Sequence, residues 1–491
     1  GPASMTQEFS QAQIMLSLSL LSYRGFWDTR VENRSAMADA ISSGLAKFRP
    51  LQGDWTLVWG PGTYRYLGSV FDSAMMYVVR HRDHPARYAI VVRGTNPVDL
   101  FDWLFGDFLP HRQVPWHPLV NGAAAGARVS LSTALGLKIL LNMRAENVPE
   151  KLALPGKFDF LIDLGDRALA TTRYAANHTL DATDQLAYDS AAYDRVRRLS
   201  GKLLSYQRLW SIAEWLTGRV GNAMGDMLRL ESIARMISLR QRLIRTLDNT
   251  LEKVAEVPVA MLSPGLEELA GKQRPGIGLL ELLGNLAAIH GDELELYVTG
   301  HSKGGALAPA LALFLNDTQR NDEIPVRRHY RWNPGSRAAI HCYAFAGPTP
   351  GNTAFADYFN RHLGRRFYRY ANQMDIVTSA WQSDRLRMLP EIYGETVAPL
   401  PGLDLVFGEM AEEVERLEYT HPGVDYPVTD APGNRVEKHV IEFTGPLQAG
   451  TNSYLLQALY QHVEAYIDLL GLGKLIDLGN LLGLGDSRGG S

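Results

Sequence analysis

The chain has 491 residues, of which 46% are hydrophobic and 21% are charged, and its formal net charge at pH 7 is −4. These values are ordinary for folded proteins and argue against a largely disordered or a membrane-embedded chain. The small negative charge gives no general attraction for nucleic acid. The single cysteine, Cys342, excludes an internal disulfide. The length is compatible with one large core that carries an insertion, or with two domains.

The N-terminal segment shows no sign of a signal peptide. Residues 1–4 precede Met5 and have the composition of a cleaved tag, so we expect the natural chain to begin at Met5. The apolar run at residues 14–21 lacks preceding positive charges and a small-residue cleavage site. No apolar run reaches the roughly 20 residues that a membrane span needs. The sequence is compatible with a cytoplasmic location and with export without a cleaved signal.

The first hundred residues are predicted to form a buried helix and then several β-strands. Residues 9–23 are dense in leucine, isoleucine and methionine, as expected for a helix that packs in the core. Gly, Pro, Asp and His then separate four strand-like runs, at residues 55–59, 66–71, 74–80 and 88–92. These runs are typical of the antiparallel edge of a mixed sheet. Further along, residues 127–143 and 277–289 have the apolar pattern of helices.

The last of these strands leads into Arg93-Gly94-Thr95, and a short Asp-Trp segment with a further acidic residue follows. This arrangement resembles the class 3 (fungal-type) triacylglycerol lipases of the α/β-hydrolase superfamily. In that family, the residue after the glycine supplies the first N–H of the oxyanion hole. The resemblance implies this role for Thr95, whose hydroxyl could also help to orient the site. The alternative is an ordinary polar strand end.

Residues 144–275 depart from the lipase pattern, in which the flanking helices follow each other closely. The segment is mostly helical by pattern. Between Ile233 and Val254, apolar residues recur three and four positions apart, with basic residues at other positions. Two interpretations fit this pattern. The segment is either a structural bundle on the core or a cap that shapes the acyl pocket or contacts a lipid surface.

The strongest motif is G-x-S-x-G at residues 300–304, Gly-His-Ser-Lys-Gly. A strand-like run, residues 294–298, precedes it, and a small, apolar helix-like run, residues 306–315, follows it. This context predicts a strand-to-helix corner that exposes the Ser302 hydroxyl, with Gly300 and Gly304 making room for it. The N–H of Lys303 would then point to the oxyanion. A Gly-Ser turn without chemistry is the alternative.

The catalytic acid is predicted after the next strands. Residues 340–346 form a strand-like run, and the following Gly-Pro-Thr-Pro-Gly-Asn, residues 347–352, closely resembles a segment that follows the serine helix in class 3 lipases. The strand at 367–370 leads into Asn372-Gln373-Met374-Asp375, which matches the family's Asn-x-x-Asp at the acid. Asp375 also follows a strand at the edge where it can reach a histidine. Other aspartates, Asp357, Asp384 and Asp404, lack this setting.

Three histidines compete for the role of the base. His421 lies in a segment that resembles a family strand whose histidine is not catalytic, and we interpret it as structural. His462 stands near the end of the core and resembles the family's late catalytic histidine, so Ser302, Asp375 and His462 follow the hydrolase order. His439, in a strand-like run, is the alternative base.

The sequence thus predicts an α/β-hydrolase fold with a mixed, mostly parallel sheet flanked by helices and a large helical insertion. The residues predict a serine hydrolase, and the resemblance, which covers about residues 75–143 and 276–470, implies a lipase acting on lipid acyl esters. Phospholipase A1, short-chain esterase and feruloyl esterase stay open, as does a non-catalytic membrane-associating scaffold. Lys303 replaces a leucine common in the family, and its side chain could select anionic substrates.

No spacing of histidine, cysteine or acidic residues predicts a metal site, and the Gly60-Pro61-Gly62 segment lacks the ending of a phosphate-binding loop. We therefore expect no cofactor and no nucleic acid. The expected partners are a lipid or ester substrate and a lipid interface, and the sequence leaves the oligomeric state open. The predicted segments are a tag remnant at 1–4, two core parts at 5–143 and 276–475, the insertion at 144–275 and a tail at 476–491.

Overall fold

The computed structural model describes residues 8–24, 34–64, 74–95, 104, 110–116, 126–153, 275–320, 330–397, 402–430, 433–448 and 454–476. Elements are numbered in chain order over these residues. Most of the predicted insertion, residues 154–274, lies outside the described residues, as do the predicted strand at 66–71, the segment 1–4 and most of the tail.

A seven-stranded sheet forms the centre of the molecule, in the order β1-β2-β3-β8-β9-β11-β15. Its strands are β1 (Trp55–Tyr64), β2 (Ala74–His81), β3 (Arg87–Arg93), β8 (Glu295–His301), β9 (Ala339–Phe345), β11 (Phe367–Asn372) and β15 (Val440–Phe443). The first three strands pair antiparallel, and every pair from β3 to β15 is parallel. This arrangement confirms the predicted mixed, mostly parallel sheet.

The central strands are buried on both faces because their residues alternate between two cores. In β3, Ile90 and Val92 pack into one core, and Ala89 and Val91 pack into the other. Each face therefore needs a layer of helices to cover it. The first core contacts α3 (Leu131–Asn142), α5 (Leu279–His290), α6 (Lys303–Thr318) and α7 (Thr353–Leu363), and the second contacts α1 (Gln11–Leu21), α2 (Arg34–Lys47) and α11 (Glu464–Leu469).

A third apolar cluster lies beyond the carboxyl end of β11. It is built from α8 (Ser383–Met388), α9 (Leu403–Val414) and α10 (Tyr454–His462), together with the residues that follow Asp375. The remaining elements are short, and α4 (Glu150–Ala153) is a single turn of helix. A second sheet has four strands in the order β12 (Tyr419–Thr420), β10 (Gly351–Asn352), β5 (Arg128–Ser130) and β4 (Gln113–Pro115). Two further strand pairs are β13 (Tyr426–Pro427) with β14 (Val436–Glu437) and β6 (Arg144–Ala145) with β7 (Ile277–Gly278).

The helix predicted at 127–143 begins later than expected. Residues 128–130 form β5, which pairs with β4 and with Gly351 of β10, and the helix begins only at Leu131. Ser130 caps it, because its hydroxyl accepts the N–H of Thr133 at 3.0 Å. Within the described ranges, no helix is long and apolar enough to cross a membrane.

Candidate active site

Ser302 occupies the corner between β8 and α6, as the motif predicts. Its backbone has φ 65° and ψ −131°, a left-handed conformation that residues with a side chain rarely adopt. The Ser302 N–H donates to the carbonyl of Phe345, at the end of β9, over 3.0 Å. The corner is thus held against the neighbouring strand, and Ser302 is 2% exposed.

Two glycines allow this corner to pack tightly. A Cβ on Gly300 would lie 2.3 Å from the carbonyl oxygen of Gly304, and a Cβ on Gly304 would lie 2.5 Å from the carbonyl oxygen of Val92. Both distances are far below van der Waals contact. The motif glycines are therefore required by the close approach of β8, the start of α6 and β3.

The two predicted oxyanion residues lie at the same edge of the sheet. Arg93 of β3 is paired with His301 of β8, and Thr95 and Lys303 each follow two residues later. Both are buried, at 4% and 6% exposure. The segments also meet directly, because a Cβ on Gly94 would lie 2.6 Å from Cγ of Lys303. The aliphatic stem of Lys303 therefore packs over the glycine that precedes Thr95.

Asp375 is fully buried in a turn after β11. The turn is organised by Asn372, whose side-chain oxygen accepts the N–H of Met374 at 3.1 Å and the N–H of Gly445 at 2.8 Å. The Asn372 amide donates in turn to the side-chain oxygen of Gln461 at 2.8 Å. One asparagine thus connects the turn of the predicted acid to the residue that precedes His462.

His462, the last residue of α10, lies directly against Asp375. Its Nδ1 is 3.0 and 2.9 Å from the two carboxylate oxygens. A carboxylate only accepts, so Nδ1 carries the proton, and in the neutral ring Nε2 is then an acceptor. The two side chains are 1% and 0% exposed, which strengthens the charge-assisted hydrogen bond.

Two polar atoms at this corner have no hydrogen-bond partner among the described residues. They are Oγ of Ser302 and Nε2 of His462, and both are buried. His301 brings their segments together, because its ring centroid lies 4.6 Å from that of His462 and Ser302 is the next residue. A buried hydroxyl and a buried proton acceptor left unpaired are costly unless a substrate uses them.

Tyr466 also belongs to the site, although the sequence did not single it out. Its hydroxyl donates to Oδ2 of Asp375 at 2.8 Å and accepts the N–H of Asn372 at 2.9 Å. Burial raises the pKa of Tyr466, and the Asp375 charge raises it further, so the hydroxyl stays protonated as a donor. Tyr466 follows His462 by four positions and lies in the next helix, α11, so no helical spacing signalled its contact with Asp375.

The other two histidines are placed elsewhere. His439 Nδ1 lies 2.9 Å from the carbonyl of Phe367, at the start of β11, whereas Asp375 follows the other end of that strand. His421 Nε2 lies 2.7 Å from the carbonyl of Thr378, to which it donates, and burial lowers its pKa well below the usual value. The structure places His462 against Asp375, at the carboxyl end of β11, and places His439 at the amino end of the same strand.

Within the described ranges, no group of three or more histidine, cysteine or acidic side chains could hold a metal ion. The predicted residues of the site are instead arranged as a hydroxyl, an imidazole and a carboxylate.

Residues 276–384 match the class 3 lipase family model. The match confirms the resemblance predicted from the sequence over that range, which contains Ser302, Lys303 and Asp375 but not Thr95 or His462. It supports a lipase-type hydrolase with a lipid or ester substrate.

The fold has a counterpart among solved structures. The crystal structure of M37 lipase aligns with a TM-score of 0.59 and 24% sequence identity, covering 98% of this chain and 99% of that chain. The likeness confirms the predicted fold class. No curated protein matches the chain significantly.

Proposed function

We propose that the chain is a serine-dependent carboxylic ester hydrolase that acts on lipid acyl esters through an acyl-enzyme. The observation that carries this proposal is the hydrogen bond between His462 and buried Asp375, beside a Ser302 hydroxyl that is buried and unpaired. The class 3 lipase match over residues 276–384 favours a lipid acyl ester as the substrate. Ser302 is then the nucleophile, His462 the base and Asp375 the acid that orients it.

The first half of the reaction follows from the hydrogen bond between His462 and Asp375. Nε2 removes the proton of Ser302 as Oγ attacks the ester carbonyl, and the imidazolium that forms is stabilised by Asp375. Asp375 keeps the ring in the productive tautomer because Nδ1–H is already committed to its carboxylate. His462 then donates its proton to the leaving alcohol, which departs and leaves the acyl group on Ser302.

The negative charge that develops on the carbonyl oxygen needs donors that are already in place. We assign this role to the backbone N–H groups of Thr95 and Lys303, which lie at the carboxyl end of β3 and at the first turn of α6. The start of a 16-residue helix also favours negative charge. Water, activated by His462, hydrolyses the acyl-enzyme through the same oxyanion site.

A fluorophosphonate probe tests the mechanism, because it phosphonylates only an activated serine. We expect stoichiometric labelling of the wild-type chain at Ser302 and none in Ser302→Ala. A folded wild-type chain that neither labels nor hydrolyses any ester would overturn the proposal and favour a non-catalytic scaffold.

The substrate is tested separately with p-nitrophenyl esters of increasing chain length, with a triacylglycerol emulsion and with phospholipid vesicles. We expect activity that rises with acyl chain length and a clear rate on the emulsion. Activity confined to acetate or butyrate esters would contradict the lipid substrate while leaving the serine mechanism intact. Selective hydrolysis of the phospholipid would assign the chain to phospholipid substrates instead of triacylglycerols.

A further inference from the structure

The turn that ends α1 contacts the active-site corner, although it is about 280 positions away in sequence. The Tyr23 hydroxyl lies 2.6 Å from Nδ1 of His301, and Nε2 of His301 lies 2.7 Å from the backbone carbonyl of His462. All three residues are buried. His301 thus stands between the N-terminal helix and the proposed base.

The direction of these hydrogen bonds follows from simple chemistry. A carbonyl oxygen only accepts, so Nε2 of His301 must carry the proton. Burial lowers the pKa of His301 well below the usual value, and the nearby His462 lowers it further, so the ring is neutral and has a single N–H. Nδ1 is therefore an acceptor, and the Tyr23 hydroxyl donates a hydrogen bond to it. The His462 carbonyl thus fixes the tautomer of His301, and the Tyr23 hydroxyl stabilises it by donating to Nδ1.

The carbonyl of His462 is one of the last four of α10, which have no partner within the helix. The hydrogen bond from His301 satisfies it. In addition, the His301 ring lies 4.6 Å from the His462 ring at an angle of 43°. His301 therefore restrains both the backbone and the ring of His462, whereas Asp375 hydrogen-bonds to Nδ1 of the ring.

We propose that Tyr23 and His301 are a positioning pair that holds His462 in its productive orientation, so that helix α1 is part of the catalytic apparatus. The inference rests on the proposed role of His462 as the base. It assigns a function to α1 that composition alone does not suggest.

The same turn of α1 also contacts the other side of the site. Arg93, the residue before Gly94-Thr95, donates from Nη1 to the carbonyl of Ser22 at 2.6 Å. Ser22 and Tyr23 thus hold the strand that precedes Thr95 and, through His301, the segment that carries His462. Both halves of the proposed site are therefore held by the same short turn.

The decisive comparison is between Tyr23→Phe and Tyr77→Phe. Tyr77, on β2, is also fully buried, and its hydroxyl also donates to α1, but at the carbonyl of Leu18 and not at His301. Both variants lose one buried hydroxyl that anchors the same helix, so we expect similar decreases in melting temperature. We expect Tyr23→Phe to lower kcat roughly tenfold with little change in KM, since a misplaced base slows chemistry more than binding. Tyr77→Phe should stay within about twofold of the wild type.

Variants of His301 test the direction of the hydrogen bonds. His301→Phe keeps a ring but removes the donor to the His462 carbonyl, and we expect a larger loss of kcat. Glutamine places an amide N–H where Nε2 stands, so His301→Gln should recover part of that loss. Fluorophosphonate labelling rates should follow the same order, because they report how well His462 activates Ser302.

Equal kcat in Tyr23→Phe and Tyr77→Phe would overturn the inference and leave α1 as packing. This outcome differs from failure of the proposed function, in which the wild type itself does not label. Should His301→Phe fail to fold, the two tyrosine variants still decide the question. A His301→Gln variant no better than a folded His301→Phe would also contradict the donor role.

Discussion

Ser302, the proposed nucleophile, has an unfavourable backbone conformation. With φ at 65° and ψ at −131°, a Cβ is strained at this position, and only glycine is free of that strain. The Ser302 Oγ forms no hydrogen bond to the described residues, so removing it costs the fold little. The strain at Ser302 is therefore explained by its proposed role as the nucleophile and not by a contribution to stability.

From this we predict opposite effects of two substitutions. Ser302→Ala should reduce kcat on the order of 10⁴- to 10⁶-fold and leave the free energy of unfolding nearly unchanged. Ser302→Gly should be equally inactive but more stable than the alanine variant by about 1 kcal/mol, because it relieves the strain. Kinetics and urea denaturation of the two variants check this. A glycine variant less stable than alanine would contradict the strain argument.

Tyr466 offers a second test at the level of single atoms. Its hydroxyl donates to Asp375 and accepts from Asn372, and a hydrogen bond to a charged group is worth about 1.5–3 kcal/mol. Tyr466→Phe should therefore lower kcat roughly tenfold as Asp375 loses one of its donors. Tyr454→Phe is the matched control, since that buried hydroxyl donates to Leu389 instead. If both variants have wild-type kcat, Tyr466 is not needed to orient the acid.

At the level of elements, the edge strand β15 is held by one carboxylate. Oδ1 of Asp425 accepts the N–H of His439 at 2.8 Å and that of Val440 at 3.0 Å, and Oδ2 accepts from Lys438. Partial burial raises the pKa of Asp425, but the N–H groups of Val440 and His439 and the charge of Lys438 outweigh this effect and lower it to about 2. Because β15 pairs with β11, the anchor supports the strand that leads to Asp375.

The depressed pKa fixes the sign of a pH dependence. The charged form is favoured in the folded state, so Asp425 stabilises the protein above its unfolded pKa of about 3.9, and this contribution is lost as the pH falls through about 2. Asp425→Asn should therefore lower the urea midpoint at pH 6, and the difference from the wild type should shrink below pH 4. Asp430→Asn, an exposed aspartate nearby, is the control. A difference that is constant from pH 3 to 7 would contradict the electrostatic origin.

Elements defined by local pattern were predicted well. The strand before Ser302 and the helix after it were predicted within a few residues of β8 and α6, since hydrophobic periodicity and glycine spacing are local signals. The helix at 127–143 was predicted to begin too early. Residues 128–130, Arg-Val-Ser, are too few to show a strand pattern, and only their pairing with β4 and β10 makes them a strand. Non-local pairing of this kind leaves no mark in a single sequence.

In the site, too, residues within local motifs could be predicted, and contacts between residues distant in sequence could not. Asp375 was predicted from a motif that follows a strand end, and His462 from its resemblance to the late histidine of class 3 lipases, and the structure places their side chains in hydrogen-bond contact. The contacts of Tyr23 with His301 and of Asn372 with Gln461 join residues 278 and 89 positions apart. No spacing rule relates such residues, so the helix at residues 9–23 was predicted as packing alone.

At the level of the whole molecule, the strands β6 and β7 bring the ends of the predicted insertion together. Arg144 pairs with Gly278, and Ala145 pairs with Ile277. The Asn285 amide also donates to the carbonyl of Leu152 at 2.9 Å, which ties α4 to α5. The chain therefore leaves the core and returns to it at neighbouring points, so residues 154–274 can be removed without stretching the core.

We predict that this deletion separates catalysis from substrate preference. A variant that joins residues 153 and 275 with a short Gly-Ser linker should fold, because the described residues on either side of the segment form a core on each face of the sheet. It should keep hydrolysis of p-nitrophenyl acetate within about tenfold, since Ser302, Asp375 and His462 are retained. As a cap over the acyl pocket, the segment would set the preference for long chains, because its predicted amphipathic helices have an apolar face that must contact the core or lipid.

The chain-length profile and the activation by an emulsion decide between the two interpretations of the insertion. We expect the deletion variant to lose activity preferentially on esters of long acyl chains and on emulsified lipid, relative to the acetate ester. Ser302→Ala in the same background is the control for hydrolysis by contaminants. An unchanged profile and unchanged interfacial activation in a folded variant would show that the segment is a structural or partner-binding bundle, because a cap cannot be removed without altering access to Ser302.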